Sequence, residues 1–308
     1  MSPFSPISGQ ALAISNLFII TLIVGGVVFT LVTALVLYAS FRFRRRGEDG
    51  EASQVFGHRR LEIAWTVAPA VLLLSLFVLT LRTMAAADPP VPANTPPDMI
   101  IVAHQWWWEI HYPGANVVTA NEVHLPAGQP IRLRLESADV IHDFWVPALG
   151  RKMDATPGHP VTYTVEADQT GVFLGTCAEY CGAQHAWMRI RVIVQTPKDF
   201  QAWLQQQAAV PATPTSGQAA QGAQLFQDLT CRNCHSIAGT SAHGTFAPDL
   251  THLTDRQTIG AGVLDNTPAN LALWLTNPQA IKPGSYMPNL NLSSDQVMSL
   301  VAYLESLK

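Results

Sequence analysis

The sequence predicts a multi-domain membrane protein: a two-helix transmembrane hairpin, an all-β Greek-key sandwich and a small all-α domain. Three observations predict it. Two long apolar runs flank an arginine-rich stretch, a central region alternates apolar and polar residues between turn signals, and the C-terminal third carries apolar residues at helical spacing. Only 13% of the 308 residues are charged, about half the share usual in soluble proteins, as expected if part of the chain lies in lipid.

Residues 17–41 are apolar and hold no charged side chain. About 25 residues at a rise of about 1.5 Å cross a hydrocarbon core of about 30 Å with some tilt. Residues 61–81 form a second run, interrupted by Glu62 near its start and followed by Arg82. Arg42, Arg44, Arg45, Arg46, Arg59 and Arg60 lie between the runs, and no Lys or Arg precedes residue 17. The positive-inside rule therefore puts this connection in the cytoplasm and both ends outside. A cleaved signal peptide would carry its positive charge before a short apolar core, the reverse of this order. Residues 1–97 are thus read as the hairpin and its exit, with the proline-rich residues 86–97 extended on the outer side.

Residues 98–200 read as the sandwich. Ile131-Arg132-Leu133-Arg134-Leu135-Glu136 and Met188-Arg189-Ile190-Arg191-Val192-Ile193-Val194 alternate with a period of two, and Pro113-Gly114, Pro126-Ala127-Gly128 and Pro157-Gly158 punctuate the region. Its loop CAEYCGAQHAWM offers Cys177, Cys181, His185 and Met188: two thiolates, an imidazole and a thioether. Thiolate and thioether are soft donors that favour copper. A C-x-x-x-C pair could instead form a disulfide or help hold zinc, but zinc seldom recruits methionine, and a single blue-copper ion needs only one cysteine. The second cysteine supplies enough sulfur to bridge two copper ions. Each copper then needs an imidazole, one from His185 and one from elsewhere. His142 is the choice because it precedes the strand-like run Phe144-Trp145-Val146, with His104, His111, His124 and His159 as rivals.

Residues 205–219 are rich in Gln, Ala, Pro, Thr and Ser, lack a hydrophobic period and read as a tether to the last domain, residues 217–308. There Cys231, Cys234 and His235 spell CRNCH, the pattern of covalent c-type haem attachment, and the chain has no further cysteine pair to complete a zinc ribbon. Candidates for the distal ligand are Met287, Met298, His243 and His252. Met287 is preferred, since it lies in the loop GSYMPNL between helices, whereas Met298 sits in a helix off the apolar stripe of Val297, Leu300, Val301 and Leu304. Met/His ligation raises the haem potential, which suits a carrier. Ser293 with Gln296 offers the last helix a capping box.

The stretches LEIAWTVAP (61–69), HQWWWEI (104–110), IHDFWVPALGRKMDATPG (141–158) and CAEYCGAQHAWM (177–188) resemble subunit II of the haem-copper cytochrome c oxidases. The resemblance implies a cupredoxin-like fold and a binuclear CuA centre. In that centre Cys177 and Cys181 bridge, His142 and His185 are terminal, Met188 binds one copper and the Glu179 backbone carbonyl the other. Trp106 matches the exposed tryptophan through which electrons arrive, and Glu62 the acid at the mouth of a proton pathway into subunit I. The Glu179 side chain matches a ligand to a magnesium ion shared with that subunit. Residues 217–308 resemble a class I cytochrome c with Met287 in the family's methionine position.

Taken together, the resemblance implies subunit II of a bacterial oxidase in the inner (plasma) membrane, with both metal domains and both termini periplasmic. Its partners would be the lipid bilayer, subunit I, subunit III, and cytochrome c or another periplasmic donor. Electrons would pass from the donor through haem c and CuA to subunit I, which reduces oxygen and pumps protons. A net charge of −4 argues against a nucleic-acid partner. Rival classes are the small subunit of a CuA-containing nitric oxide reductase and a stand-alone membrane-anchored carrier. LEIAWT with Glu62 favours the oxidase.

Overall fold

The computed structural model describes residues 4–44, 57–90 and 95–308. Arg45, Arg46 and residues 91–94 of the proline-rich exit lie outside them. The described residues form two compact units, those within 12–88 and those within 4–11 and 89–308.

The first unit holds the helices α1 (Gly9–Arg42, 34 residues) and α2 (Arg59–Ala87, 29 residues), each long and apolar enough to cross a membrane. Most of their apolar side chains are exposed: Phe29 is 72% exposed and Leu73 65%. Apolar surface displayed so fully suits a lipid environment or the faces of other membrane helices. Thr66, Ser75 and Thr80 close their hydrogen bonds within the helix, donating to the carbonyls of Glu62, Val71 and Leu76. At the start of α2, the His58 ring caps the amide of Leu61 and Glu62 Oε1 accepts from the His58 amide.

The second unit begins with a sandwich of two five-stranded sheets. Its strands are β1 (Met99–His104), β2 (Trp107–Tyr112), β3 (Val117–Ala120), β4 (Glu122–Pro126), β5 (Ile131–Ser137), β6 (His142–Trp145), β7 (Met153–Ala155), β8 (Val161–Val165), β9 (Gly171–Cys177) and β10 (Arg189–Gln195). One sheet runs β3-β2-β1-β5-β8 and the other β4-β10-β9-β6-β7. β1 lies parallel to β5 and β4 to β10, so the chain crosses repeatedly between sheets, as the Greek-key reading expects. Inward residues of both sheets fill the core, among them Ile101, Trp108 and Leu135 against Phe144, Ile190 and Val192. The burial of such a large side chain contributes roughly 3 kcal/mol each. Gly175 on β9 lets β6 approach, because a Cβ there would lie 2.6 Å from the Trp145 carbonyl oxygen.

After β10, Thr196 caps α3 (Pro197–Gln207), whose Phe200 and Trp203 pack on Tyr112, with Trp203 stacked 3.8 Å from the His124 ring. The irregular stretch of the tether is therefore 208–216, since α3 takes in residues 205–207 and the next helix starts at Gly217. The C-terminal domain consists of α4 (Gly217–Asp228), α5 (Cys231–Cys234), α6 (Pro268–Thr276), α7 (Pro278–Ile281) and α8 (Ser294–Leu304). α4 crosses α8 so closely at Gly222 that a Cβ would collide with the Ser299 carbonyl. Phe226 packs edge-on to Tyr303 beside it. Ser293 and Gln296 form the expected capping box, and Met298 is 51% exposed, consistent with its place off the apolar stripe.

Candidate metal centre

Three strands converge at one end of the sandwich. β9 ends at Cys177 and β10 starts after Met188, and the Cys177 amide donates to the Met188 carbonyl at 2.9 Å, so the intervening loop returns on itself. β6 pairs with β9 through Phe144 and Cys177, which brings His142, two residues earlier, beside the loop. The result is a cluster of soft donors. The Cys177 and Cys181 sulfurs lie 3.8 Å apart, with His142 Nδ1 3.8 Å from the first and His185 Nδ1 3.6 Å from the second. Met188 Sδ stands 3.9 Å from Cys181 Sγ, and the Glu179 carbonyl oxygen 3.2 Å from Cys177 Sγ. His142, Cys177, Cys181 and Met188 are all buried.

This donor set fits two soft metal ions. Both cysteines are free thiols. The hydrogen bond shared between the two sulfurs pushes the Cys177 thiol down and the Cys181 thiol up. This arrangement favours a thiolate on Cys177, and metal binding would release the protons that the two sulfurs hold. The rival histidines are engaged elsewhere: His104 and His111 both meet the Glu109 carboxylate, His124 lies against Trp203, and His159 is exposed at a turn with Thr156.

Sequence reasoning did not find Asp139. His142 Nε2–H donates to Asp139 Oδ1 at 2.8 Å, which fixes the tautomer and turns Nδ1 toward the sulfurs. The available signal was an acid three residues before the histidine. Of the other expected residues, the Glu179 side chain is exposed on the loop, and Glu62 belongs to the helical unit, at the start of α2.

A second site lies in the C-terminal domain, an apolar cavity lined by Cys231, Cys234 and His235 and by Trp274, Met287 and Leu300. His235 Nδ1–H donates to the Pro248 carbonyl at 2.7 Å, which leaves Nε2 as the free donor atom. Burial lowers the pKa of this ring and so favours the neutral, metal-binding form. Of the four candidate distal ligands, Met287 lines the cavity, and its sulfur accepts from Trp274 Nε1 at 3.1 Å. Met298 and His243 are exposed, and His252 donates to the Ala209 carbonyl. The apolar walls, the two thiols, the His235 imidazole and the Met287 thioether fit a haem. Trp274 belongs to the apolar helix α6, and no local pattern marks it as the partner of Met287.

The sandwich closes this cavity with Gln105, Trp106, Trp107 and Asn121. Here the structure corrects the expectation of an exposed Trp106. It is 8% exposed, because Tyr286 of the C-terminal domain covers its ring at a centroid distance of 4.9 Å. Its Nε1–H donates to the Cys181 carbonyl at 2.9 Å. Trp106 thus spans from the cavity wall to the cysteine loop. Other groups pin the two domains together. Glu122, 1% exposed, accepts from the amides of Gln257 and Thr258 and from the Thr258 hydroxyl, Arg256 Nε donates to Thr119 Oγ1, and Gln184 donates to the Pro283 carbonyl.

Comparison with known proteins adds the lineage. Family profiles described as "Cytochrome C oxidase subunit II, transmembrane domain", "Cytochrome C oxidase subunit II, periplasmic domain" and "Cytochrome c" match residues 5–83, 115–195 and 219–308. A cytochrome c oxidase subunit 2 from Alkalihalophilus pseudofirmus is 37% identical, with 100% of this chain and 91% of that protein aligned. This chain belongs to the cytochrome c oxidase subunit II family. A second subunit 2, from Bacillus subtilis, is 33% identical over 89% of this chain and 82% of its own length. The crystallised periplasmic domain of subunit II from Bradyrhizobium japonicum is 33% identical over 37% of this chain and 95% of that domain, with a TM-score of 0.35. Membership makes the chain a membrane-anchored component of an oxidoreductase complex, with a cupredoxin-like periplasmic domain, and implies CuA copper and a haem.

Proposed function

We propose that this chain is the electron-input subunit of a bacterial cytochrome c oxidase. It takes electrons from a periplasmic donor at its haem domain and passes them through its copper domain to subunit I, which reduces oxygen and pumps protons. One observation carries the reading: the cysteine cluster and the apolar CRNCH cavity meet at Trp106, which lines the cavity and hydrogen-bonds the Cys181 carbonyl. In this reading residues 1–97 anchor the chain, residues 98–200 hold copper and residues 217–308 hold haem.

Cys177, Cys181, His142, His185, Met188 and the Glu179 carbonyl would hold the copper. Cys231, Cys234, His235 and Met287 would hold the haem. Bound copper and haem supply reversible one-electron chemistry. The protein's part is to hold their ligands still. Burial shields the Cys177, Cys181 and Met188 sulfurs and the His142 ring from water, Asp139 orients His142, and Trp274 orients Met287. A site that barely rearranges when its charge changes transfers electrons at small driving force. Trp106 is the link between the two sites, serving the chain's own haem domain.

Arg42, Arg44, Arg59 and Arg60 face the cytoplasm in this reading, so both metal domains are periplasmic. The exposed Glu179 carboxylate is available for a magnesium ion at the subunit I interface, and Glu62 stands at the head of α2 for a proton pathway. Subunit III completes the complex. The test is to purify the complex from native membranes and compare oxygen uptake with nitric oxide consumption. Oxygen uptake with a co-purifying polytopic haem subunit supports the reading. Consumption of nitric oxide alone points to a reductase, and absence of the haem subunit points to a free-standing carrier.

A further inference from the structure

The cavity that we assign to the haem has one wall group that its apolar character does not explain. Lys282 lines it and is only 4% exposed. Its Nζ donates to two backbone carbonyls, those of Trp106 in the sandwich and Gly260 in the C-terminal domain, each at 3.2 Å. Among the described residues no carboxylate pairs with it. Burial pushes this ammonium down to about 8, and the nearby Cys181 offsets the shift only in part.

The other buried cation of the same wall behaves differently. Arg256 feels Asp249, Glu122 and Asp255, so its charge is already compensated within the protein. Lys282 lacks such compensation. A buried charge without a partner is strongly unfavourable, so a ligand of opposite charge in the cavity would stabilise it. An ammonium has three donors, and two carbonyls use two of them. The third is left for a ligand in the cavity. A haem brings two carboxylates into a site whose walls are otherwise largely apolar.

We propose that Lys282 is the cation that receives a haem carboxylate at the seam between the two metal domains. The proposal rests on the assignment of this cavity to haem. The same side chain then ties the haem to the copper domain: Lys282 holds the Trp106 carbonyl, and the Trp106 ring holds the Cys181 carbonyl. Lys282 is a positioning residue, and its effect is read at the haem. A positive charge beside the haem carboxylate favours the reduced form, so its removal favours the oxidised form.

The experiment is an optical redox titration of the haem in the full-length, membrane-solubilised protein, with Lys282→Met and Lys282→Arg beside the unsubstituted chain. In Lys282→Met the ratio of reduced to oxidised haem at a fixed potential is expected to fall about tenfold, about 59 mV for one electron. In Lys282→Arg, which keeps the charge, it is expected to stay within twofold. A Lys282→Met haem within twofold of the unsubstituted chain overturns the proposal. If Lys282→Met takes up no haem, Lys282→Arg decides. A haem of native potential there supports a charge role, whereas loss of haem or a shifted potential there assigns Lys282 to packing and overturns it. A pyridine haemochrome spectrum of the unsubstituted chain separates the two readings, since its absence would remove the haem assignment itself.

Discussion

Glu122 joins the two metal domains, and its loss should open the seam between them. The carboxyl is buried on the sandwich side and accepts two backbone amides, Gln257 at 2.9 Å and Thr258 at 2.9 Å, plus the Thr258 hydroxyl at 3.0 Å. Glu122→Ala leaves both amides without an acceptor in a place that water does not reach. Each such buried donor costs about 1–3 kcal/mol, so about 3 kcal/mol is a conservative sum once the recovered solvation of the carboxyl is set against it. At 1.4 kcal/mol per factor of ten, docking should weaken about a hundredfold. Hydrogen exchange with mass spectrometry on the solubilised full-length chain reads this directly. Peptides spanning Gln257 and Thr258 should exchange about a hundredfold faster, peptides spanning Trp106 should gain exchange as well, and those of α4 and α8 should not change. If protection around Trp106 and Thr258 stays within twofold, Glu122 does not hold the domains together and the reasoning fails.

Further outcomes follow from other parts of the structure. Glu109 is lowered from 4.5 to about 2: burial would raise it, but hydrogen bonds from His104 and His111 outweigh burial. A depressed carboxyl contributes stability above its unfolded pKa that is lost as pH falls through the folded value, so the sandwich should lose about 3 kcal/mol between pH 4.5 and 2. Acid unfolding of Glu109→Gln should lack that component, and an identical acid limb would contradict the assignment. Cys181→Ser should abolish the mixed-valence copper spectrum and leave the haem spectrum intact, whereas survival of both centres would refute the ligand set. Met287→Ala should lower the haem potential in a redox titration, since a methionine ligand raises it; an unchanged value would exclude Met287 as the distal ligand.

The sequence carried the local features and left the seam unread. The cysteine loop, the strand after His142, the CRNCH turn and the Ser293 capping box are all set by residues within a few positions of one another, and the structure forms each where the pattern puts it. Asp139 is also close to His142 in the chain, but an acid three residues from a histidine is too common to signal a bond. Trp274, Lys282 and Trp106 are different in kind. Trp274 meets Met287 across the turn between α6 and the loop, and Lys282 reaches Trp106 across 176 positions. No period or composition encodes such a contact. The tether at 205–219 is polar and irregular in composition, which describes a flexible connector and says nothing of the surface on which its cargo rests. For that reason Trp106 reads from sequence as an exposed residue although Tyr286 covers it.

The most direct test of the whole reading is a metal count with an EPR spectrum on the well-folded chain. Two coppers and one covalent haem per polypeptide, with a single unpaired electron shared by the coppers, is the expected result. Zinc in the cysteine loop, or one copper alone, would contradict it.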